Sequence, residues 1–270
     1  MRKKRDWKQI RNAFVMVCVA VAMLSTATYA WFTLTNQPYV TGMDLTASTT
    51  GGLQVGKDSS GPFSDKLELT DGNKKLSPVL GGTNGAFTKP VYTGNAVNST
   101  EEIPEGLLYT EYVAHYVYHL HALGDTTTTL SVRLRGGDKT EGAAGGSYII
   151  RNDKHKATTN AENAIRVGFK IGSVWKVYEP NTDGSNTGTN AVNGVTEPTS
   201  DFKQNSSGIF TSGGSGIVSN ELCTIAGGNT VQVDMYVWIE GTDKDCMNEI
   251  QTDQLKGQIQ FTTEATTTTP

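Results

Sequence analysis

The chain has 270 residues, 36% hydrophobic and 19% charged, with 27 acidic against 23 basic residues and a formal net charge of −4 at pH 7. Nucleic acid and anionic membrane surfaces select clustered Lys and Arg, and beyond residue 11 this sequence has no such cluster, so neither is expected as a partner. The length suits one β-rich domain, since all-β sandwiches reach it as a single unit.

Residues 1–30 read as an export signal. Arg2, Lys3, Lys4, Arg5, Lys8 and Arg11 form a basic start, 13–24 is apolar, and Thr28-Tyr29-Ala30 ends in the small residue that signal peptidase accepts. The apolar run gives way to Ser25, Thr26 and Thr28 short of the roughly 20 residues of a membrane span. Cleavage is therefore expected, with no membrane attachment afterwards. Six of the 23 basic residues and one of the 27 acidic ones lie in this segment, so the remainder carries 17 against 26, a balance of −9.

After Ala30 the residues alternate. Phe32 and Leu34 fall on one side and Trp31, Thr33 and Thr35 on the other, the period of a half-buried strand. Pro38 interrupts it, and after Gly42 a second alternation sets Met43, Leu45 and Ala47 against Asp44, Thr46 and Ser48. Two strands hinged at Pro38 and Gly42 are expected. Gly51-Gly52 followed by 53–55 reads as a hairpin return. Residues 56–105 are loop-rich, with short strand candidates at 66–69 and 76–79.

Stronger signals follow. Over 109–123, Tyr112, Ala114, Tyr116, Tyr118 and Leu120 share one face, and Val113, His115, Val117, His119 and His121 share the other. Gly124-Asp125 is expected to turn the chain back into Leu130, Val132 and Leu134, making a long hairpin. Strands are predicted at 165–171 and 174–178 across Gly172-Ser173, and residues 180–216 read as a surface loop. Strands at 222–225 and 231–239 flank a Gly227-Gly228-Asn229 turn. A single helical turn at 245–250, a closing strand at Ile259 and Phe261, and a Thr-rich tail complete the chain. No long run has helical period, so the expected fold is all-β: a jelly-roll-like two-sheet antiparallel sandwich with long loops. A fibronectin- or immunoglobulin-like sandwich is the alternative.

Little of this points to catalysis. His115, His119 and His121 share a strand face, with neighbours two apart about 7 Å from one another, and histidine is the commonest metal ligand. No carboxylate stands at a ligand spacing from them, so they read as titratable face residues before they read as a metal site. Glu179, Asn181 and Asp183, with Gly184, copy the first half of a calcium loop, but Asn190 stands where the bidentate Glu belongs, so a plain turn is the simpler reading. There is no His-Glu-x-x-His and no Gly-x-Ser-x-Gly, and neither an enzymatic activity nor a cofactor is expected. Cys18 leaves with the signal. Cys223 and Cys246 remain in an oxidising setting, and a disulfide between them would close a loop worth about 3 kcal/mol by chain entropy.

Several motifs, in order, resemble the TasA/camelysin family of exported Gram-positive proteins with SipW-type signal peptides. They are the signal ending at Ala30, Trp31-Phe32, Thr41-Gly-Met-Asp-Leu-Thr-Ala47, Ala164-Ile-Arg-Val-Gly-Phe169, and Val237-Trp-Ile-Glu-Gly-Thr-Asp-Lys-Asp-Cys246. Residues 56–105 and 180–220 lie outside the resemblance. It implies a jelly-roll subunit of extracellular biofilm-matrix fibres, secreted or held at the cell surface, in which the N-terminal strand of one subunit fills a gap in a sheet of the next. The partner is then a head-to-tail homopolymer, with signal peptidase acting during export. The implied organisation is a signal peptide at 1–30, a donor strand at 31–40 carrying Trp31, Phe32 and Leu34, a sandwich at 41–263, and a tail at 264–270. Camelysin is also classed as a metallopeptidase, so a surface protease is the competing reading, with a monomeric adhesin behind it.

Overall fold

Alternating apolar and polar residues dictate most of what forms. The computed structural model describes residues 11–21, 23, 40–69, 75–81, 86–93, 96–135, 147–151, 161, 164–178, 221–243, 246 and 253–265. Trp31, Phe32, Leu34 and Pro38, the turn holding Glu179, Asn181 and Asp183, the loop 180–216 and most of 245–250 lie outside the described residues. The chain divides into two units, Met1–Gln37 and Pro38–Pro270. In the first, residues 11–21 are helical and exposed, and no helix among the described residues is long and apolar enough to cross a membrane.

The second unit is an all-β sandwich. In chain order its strands are β1 (Val40–Thr49), β2 (Leu53–Gly56), β3 (Phe63–Ser64), β4 (Lys66–Leu69), β5 (Leu80–Gly81), β6 (Phe87–Thr93), β7 (Ala96–Glu101) and β8 (Val113–Ala122). There follow β9 (Thr129–Leu134), β10 (Tyr148–Arg151), β11 (Ile165–Ile171), β12 (Val174–Tyr178), β13 (Cys223–Ala226), β14 (Thr230–Ile239) and β15 (Asp253–Ala265). The first sheet has the order β13-β9-β15-β1-β4, with β10 also on β15, and the second runs β12-β11-β14-β8-β2-β3. A third, small sheet orders β5-β6-β7.

The core lies between the first two sheets. Leu45 and Ala47 from β1, Val132 and Leu134 from β9, and Ile259 and Phe261 from β15 face Tyr118 and Leu120 of β8, Val167 and Phe169 of β11, and Val233 and Met235 of β14. These are the residues at every second position, as the pleat requires, and burying each Val, Leu, Ile, Phe or Met among them contributes about 1.5–3 kcal/mol. Phe261 joins the layers, its ring 6.0 Å from Tyr118 and 5.8 Å from Phe169.

Pairing departs from two expected hairpins, and a third turn, at 227–229, also changes sheet. β2 pairs with β8 and β3 rather than with β1, β9 pairs with β15 and β13 rather than with β8, and β13 and β14 lie in different sheets. Each glycine turn therefore carries the chain across the sandwich rather than back along one sheet. The three crossovers are knitted together. Leu123 N–H donates to Gly52 O at 2.7 Å, Gly228 N–H to Ala122 O at 2.8 Å, and Gly227 N–H to Thr128 O at 2.8 Å. Gly227 is packed so closely that a Cβ there would lie 2.1 Å from Asp125 O. Only β11 and β12 form the predicted hairpin, turning at Gly172 with φ 59°.

Two further details separate the strands from their sequence reading. β1 runs parallel to β15 from Val40 to Thr49, with a register irregularity between Val40 and Gly42, so Gly42 sits inside the strand rather than ahead of it. Residues expected to begin the 109–123 strand instead form a π-helical turn, Leu108–Tyr112. Thr110 Oγ1 donates to the carbonyls of Gly106 and Leu107, both at 3.2 Å, which holds that turn closed.

Candidate functional site

The C-terminal half of β14 buries both of its faces. Val233, Met235, Val237 and Ile239 enter the main core, while Tyr236 and Trp238 point to the outer side of the second sheet. There the turn Leu108–Tyr112 and the small sheet cover them, through Val79, Phe87, Leu107 and Leu108. Gly81 makes this cover possible, because a Cβ at that position would lie 2.5 Å from the Trp238 ring. Within a segment expected to be loop-rich, β5, β6 and β7 thus form a lid of strands. Its hairpin signal, Tyr92 and Thr93 before Gly94-Asn95 and Ala96-Val97, is short, and Pro90 inside β6 obscures it.

At the margin of this lid the aromatic rings emerge. The register pairs Tyr236 with His115, and their rings stack at 4.4 Å and 10°. Tyr109, 40% exposed, lies 5.0 Å from His115 and 6.4 Å from Tyr236. Trp175 of β12 meets Tyr236 edge-on at 5.3 Å, lying over Gly168, where a Cβ would come within 2.7 Å of the indole. Burial, then Tyr109 and Asp234, pushes the Tyr236 hydroxyl up to about 12. Beside this strip a cleft of about 460 Å³ is lined by Phe87, Glu102, Ile103, Pro104, Glu105, Gly106, Leu108 and Tyr109.

The three histidines do share a face, but each is held separately. His115 Nε2 lies 3.0 Å from Asp234 Oδ1, His119 Nδ1 lies 3.1 Å from the Lys57 carbonyl, and His121 Nδ1 lies 3.1 Å from Thr230 Oγ1 with its ring on Phe63. Among the described residues no three His, Cys, Asp or Glu side chains are grouped to hold a metal ion.

The expected disulfide is absent, and both Cys223 and Cys246 are free thiols. They belong to different neighbourhoods. Cys223 sits on β13 opposite Val132 of β9, whereas Cys246 Sγ lies 3.9 Å from Tyr92 Oη, beside the small sheet. Cys223 lies on β13 of the first sheet, whereas Cys246 follows β14 of the second, so the strands that border the two thiols belong to different sheets. Burial, then Glu221, pushes the Cys223 thiol up to about 12, and burial raises the Cys246 thiol and the Tyr92 hydroxyl as well.

A buried polar cluster was not anticipated. Arg166, on the face of β11 opposite Val167 and Phe169, is fully buried, and its Nη2 donates to Asp243 Oδ2 at 2.7 Å. Nearby Glu240 is also fully buried, accepting from the Gly81 N–H at 3.2 Å, Trp238 Nε1 at 3.1 Å and Thr242 Oγ1 at 3.0 Å. The charge costs of burial are offset here by direct pairing and hydrogen bonds. A signal existed in the sequence: acids at 240 and 243 continue directly from an apolar strand end.

The fold and these features define an all-β sandwich protein with a lidded aromatic face on its second sheet. No family model matches this chain, and no curated protein matches it.

Proposed function

We propose that this chain is an exported structural subunit of an extracellular filament, of the TasA/camelysin kind, secreted to the surface or matrix of a Gram-positive bacterium. Residues 31–39 of one subunit add a strand to a sheet of the next. The observation that carries this reading is the division of the chain between Gln37 and Pro38. It falls at the expected hinge, and among the described residues the buried apolar side chains of the sandwich begin at Met43. A subunit that lends its first strand to a neighbour requires a body whose own core does not use that strand.

The motifs that carry the family resemblance also support it. Thr41 to Ala47 lies in β1, Ala164 to Phe169 runs into β11, and Val237 to Cys246 spans the end of β14 and the turn after it. The last two, far apart in sequence, join through Arg166 and Asp243. Among the described residues β4 and β13 are the outermost strands of the first sheet, and an outer strand is the kind of edge that strand addition uses. A head-to-tail contact of this type does not close, and so it propagates as a filament.

Negative-stain microscopy of the processed protein, with and without residues 31–39, tests the reading. Fibres from the full mature chain, and a folded β-rich monomer from the truncated one, are expected. Fibres from the truncated protein would overturn it, as would a monomeric parent whose melting temperature collapses on truncation.

A further inference from the structure

The cleft beside the aromatic strip has a composition that selects its ligand. Two rings, Phe87 and Tyr109, and the apolar groups of Ile103, Pro104 and Leu108 make most of its wall. Both ring centroids stand within 6.4 Å of Tyr236, so the three rings crowd one corner of the site. The charged residues of the lining are Glu102 and Glu105, and the lining contains no Lys, Arg or His. Lys89, on the same strand as the lining residue Phe87, is paired with Glu101 at 3.6 Å.

We propose that this cleft binds a ligand carrying a protonated or quaternary ammonium head on a short apolar stem. Aromatic faces attract a cation through the ring quadrupole. The two exposed carboxylates add charge complementarity, and the apolar side chains of the lining take the stem. An anionic ligand would meet two glutamates with no counter-charge. A neutral apolar ligand would make no use of them. The same sign of field already acts on Tyr109, whose hydroxyl is held above its ordinary range by burial and then by Asp234. At about 460 Å³ the cleft falls within the range of small-molecule sites and accommodates a group the size of choline or a lysine side chain. Tyr109 is on the π-helical turn Leu108–Tyr112, so the irregular backbone that delays β8 is also what brings this ring to the cleft. The site does not depend on the filament reading, because all eight lining residues belong to one subunit.

Titration of the full chain with choline, Nα-acetyl-lysine amide and 3,3-dimethylbutan-1-ol, followed by calorimetry or NMR shifts, tests the site. The last compound is the neutral isostere of choline. Saturable binding of choline is expected, with the isostere about tenfold weaker. Tyr109→Ala and the double change Glu102→Gln with Glu105→Gln should each weaken choline about tenfold, and Tyr109→Phe should retain it. Tyr109, Glu102 and Glu105 are all exposed, and circular dichroism of the variants checks that they remain folded. Preference for acetyl-lysine amide over choline would assign the site to lysine side chains, and the reverse to quaternary ammonium ligands; both outcomes support it. Equal binding of the isostere, absence of saturation by either cation, or choline binding unchanged in Tyr109→Ala would overturn it.

Discussion

Arg166 Nη2 and Asp243 Oδ2 stand 2.7 Å apart with both side chains wholly removed from solvent, although 77 positions separate them in the chain. This contact ties β11 to the turn that follows β14. A buried pair is costly to break from one side, because the remaining charge is left without its partner. Asp243→Ala is expected to destabilise the fold by roughly 3–5 kcal/mol, and Arg166→Met combined with Asp243→Leu by clearly less than the single change. Urea denaturation of the three proteins checks the order. A double variant as unstable as Asp243→Ala would mean that packing rather than charge dominates at this position.

The crossover end of the sandwich offers a second test. A Cβ on Gly227 would lie 2.1 Å from the Asp125 carbonyl oxygen, and backbone cannot swing away as a side chain can. Gly227→Ala is expected to cost roughly 1–3 kcal/mol by overpacking. At Gly172, where a Cβ meets open space, the hairpin turn has φ 59°, so Gly172→Asn is expected to be far milder. Thermal melting of both variants compares them directly.

Thiol chemistry gives a third expectation. Iodoacetamide added to the unfolded, non-reduced protein should label Cys223 and Cys246, whereas labelling of the folded protein near pH 8 should be slow, since the thiolate is the nucleophile and burial disfavours it. Isolation of a crosslinked peptide joining the two would contradict this. Stability should also depend on pH. The Cys223 thiol, raised from 9.0 to about 12, is neutral in folded and unfolded chains alike below pH 9. Above that the unfolded chain ionises first, so the stabilisation is lost as pH rises toward about 12. Cys223→Ala should flatten the decline, as measured by urea midpoints across that window.

A peptide of residues 31–40 provides a fourth test, specific to the filament proposal. Added to the truncated protein, it should raise the melting temperature in a concentration-dependent way by mass action. No fibres should form, because the peptide fills an acceptor edge without bringing a further subunit. Phe32 and Leu34 would each contribute about 1.5–3 kcal/mol on burial. A peptide with both changed to Ser should therefore lose most of the shift, and an equal shift from the changed peptide would remove the basis for the proposal.

Local alternation by itself determined which face of β1, β8, β9, β11 and β14 enters the core and most of their extent, the exceptions being the turn Leu108–Tyr112 and the start of β1 at Val40. A period of two needs only neighbouring residues to be legible, and Leu130, Val132 and Leu134, or Val233, Met235 and Val237, display it directly. The all-β class followed from the same pattern. Tertiary structure decided the partners of those strands. A glycine turn such as Gly51-Gly52 or Gly124-Asp125 states that the chain reverses, but a reversal within one sheet and a crossing to the facing sheet have the same local sequence. Which one occurs depends on competition among edges far apart in the chain, as when β8 takes β14 and β2 rather than β9. The burial of Arg166 on the outer face of β11, the aromatic strip from Trp175 to Tyr109 and the separate surroundings of Cys223 and Cys246 have the same origin. Each depends on which distant element covers a face that the alternation of its own strand marks as solvent-exposed.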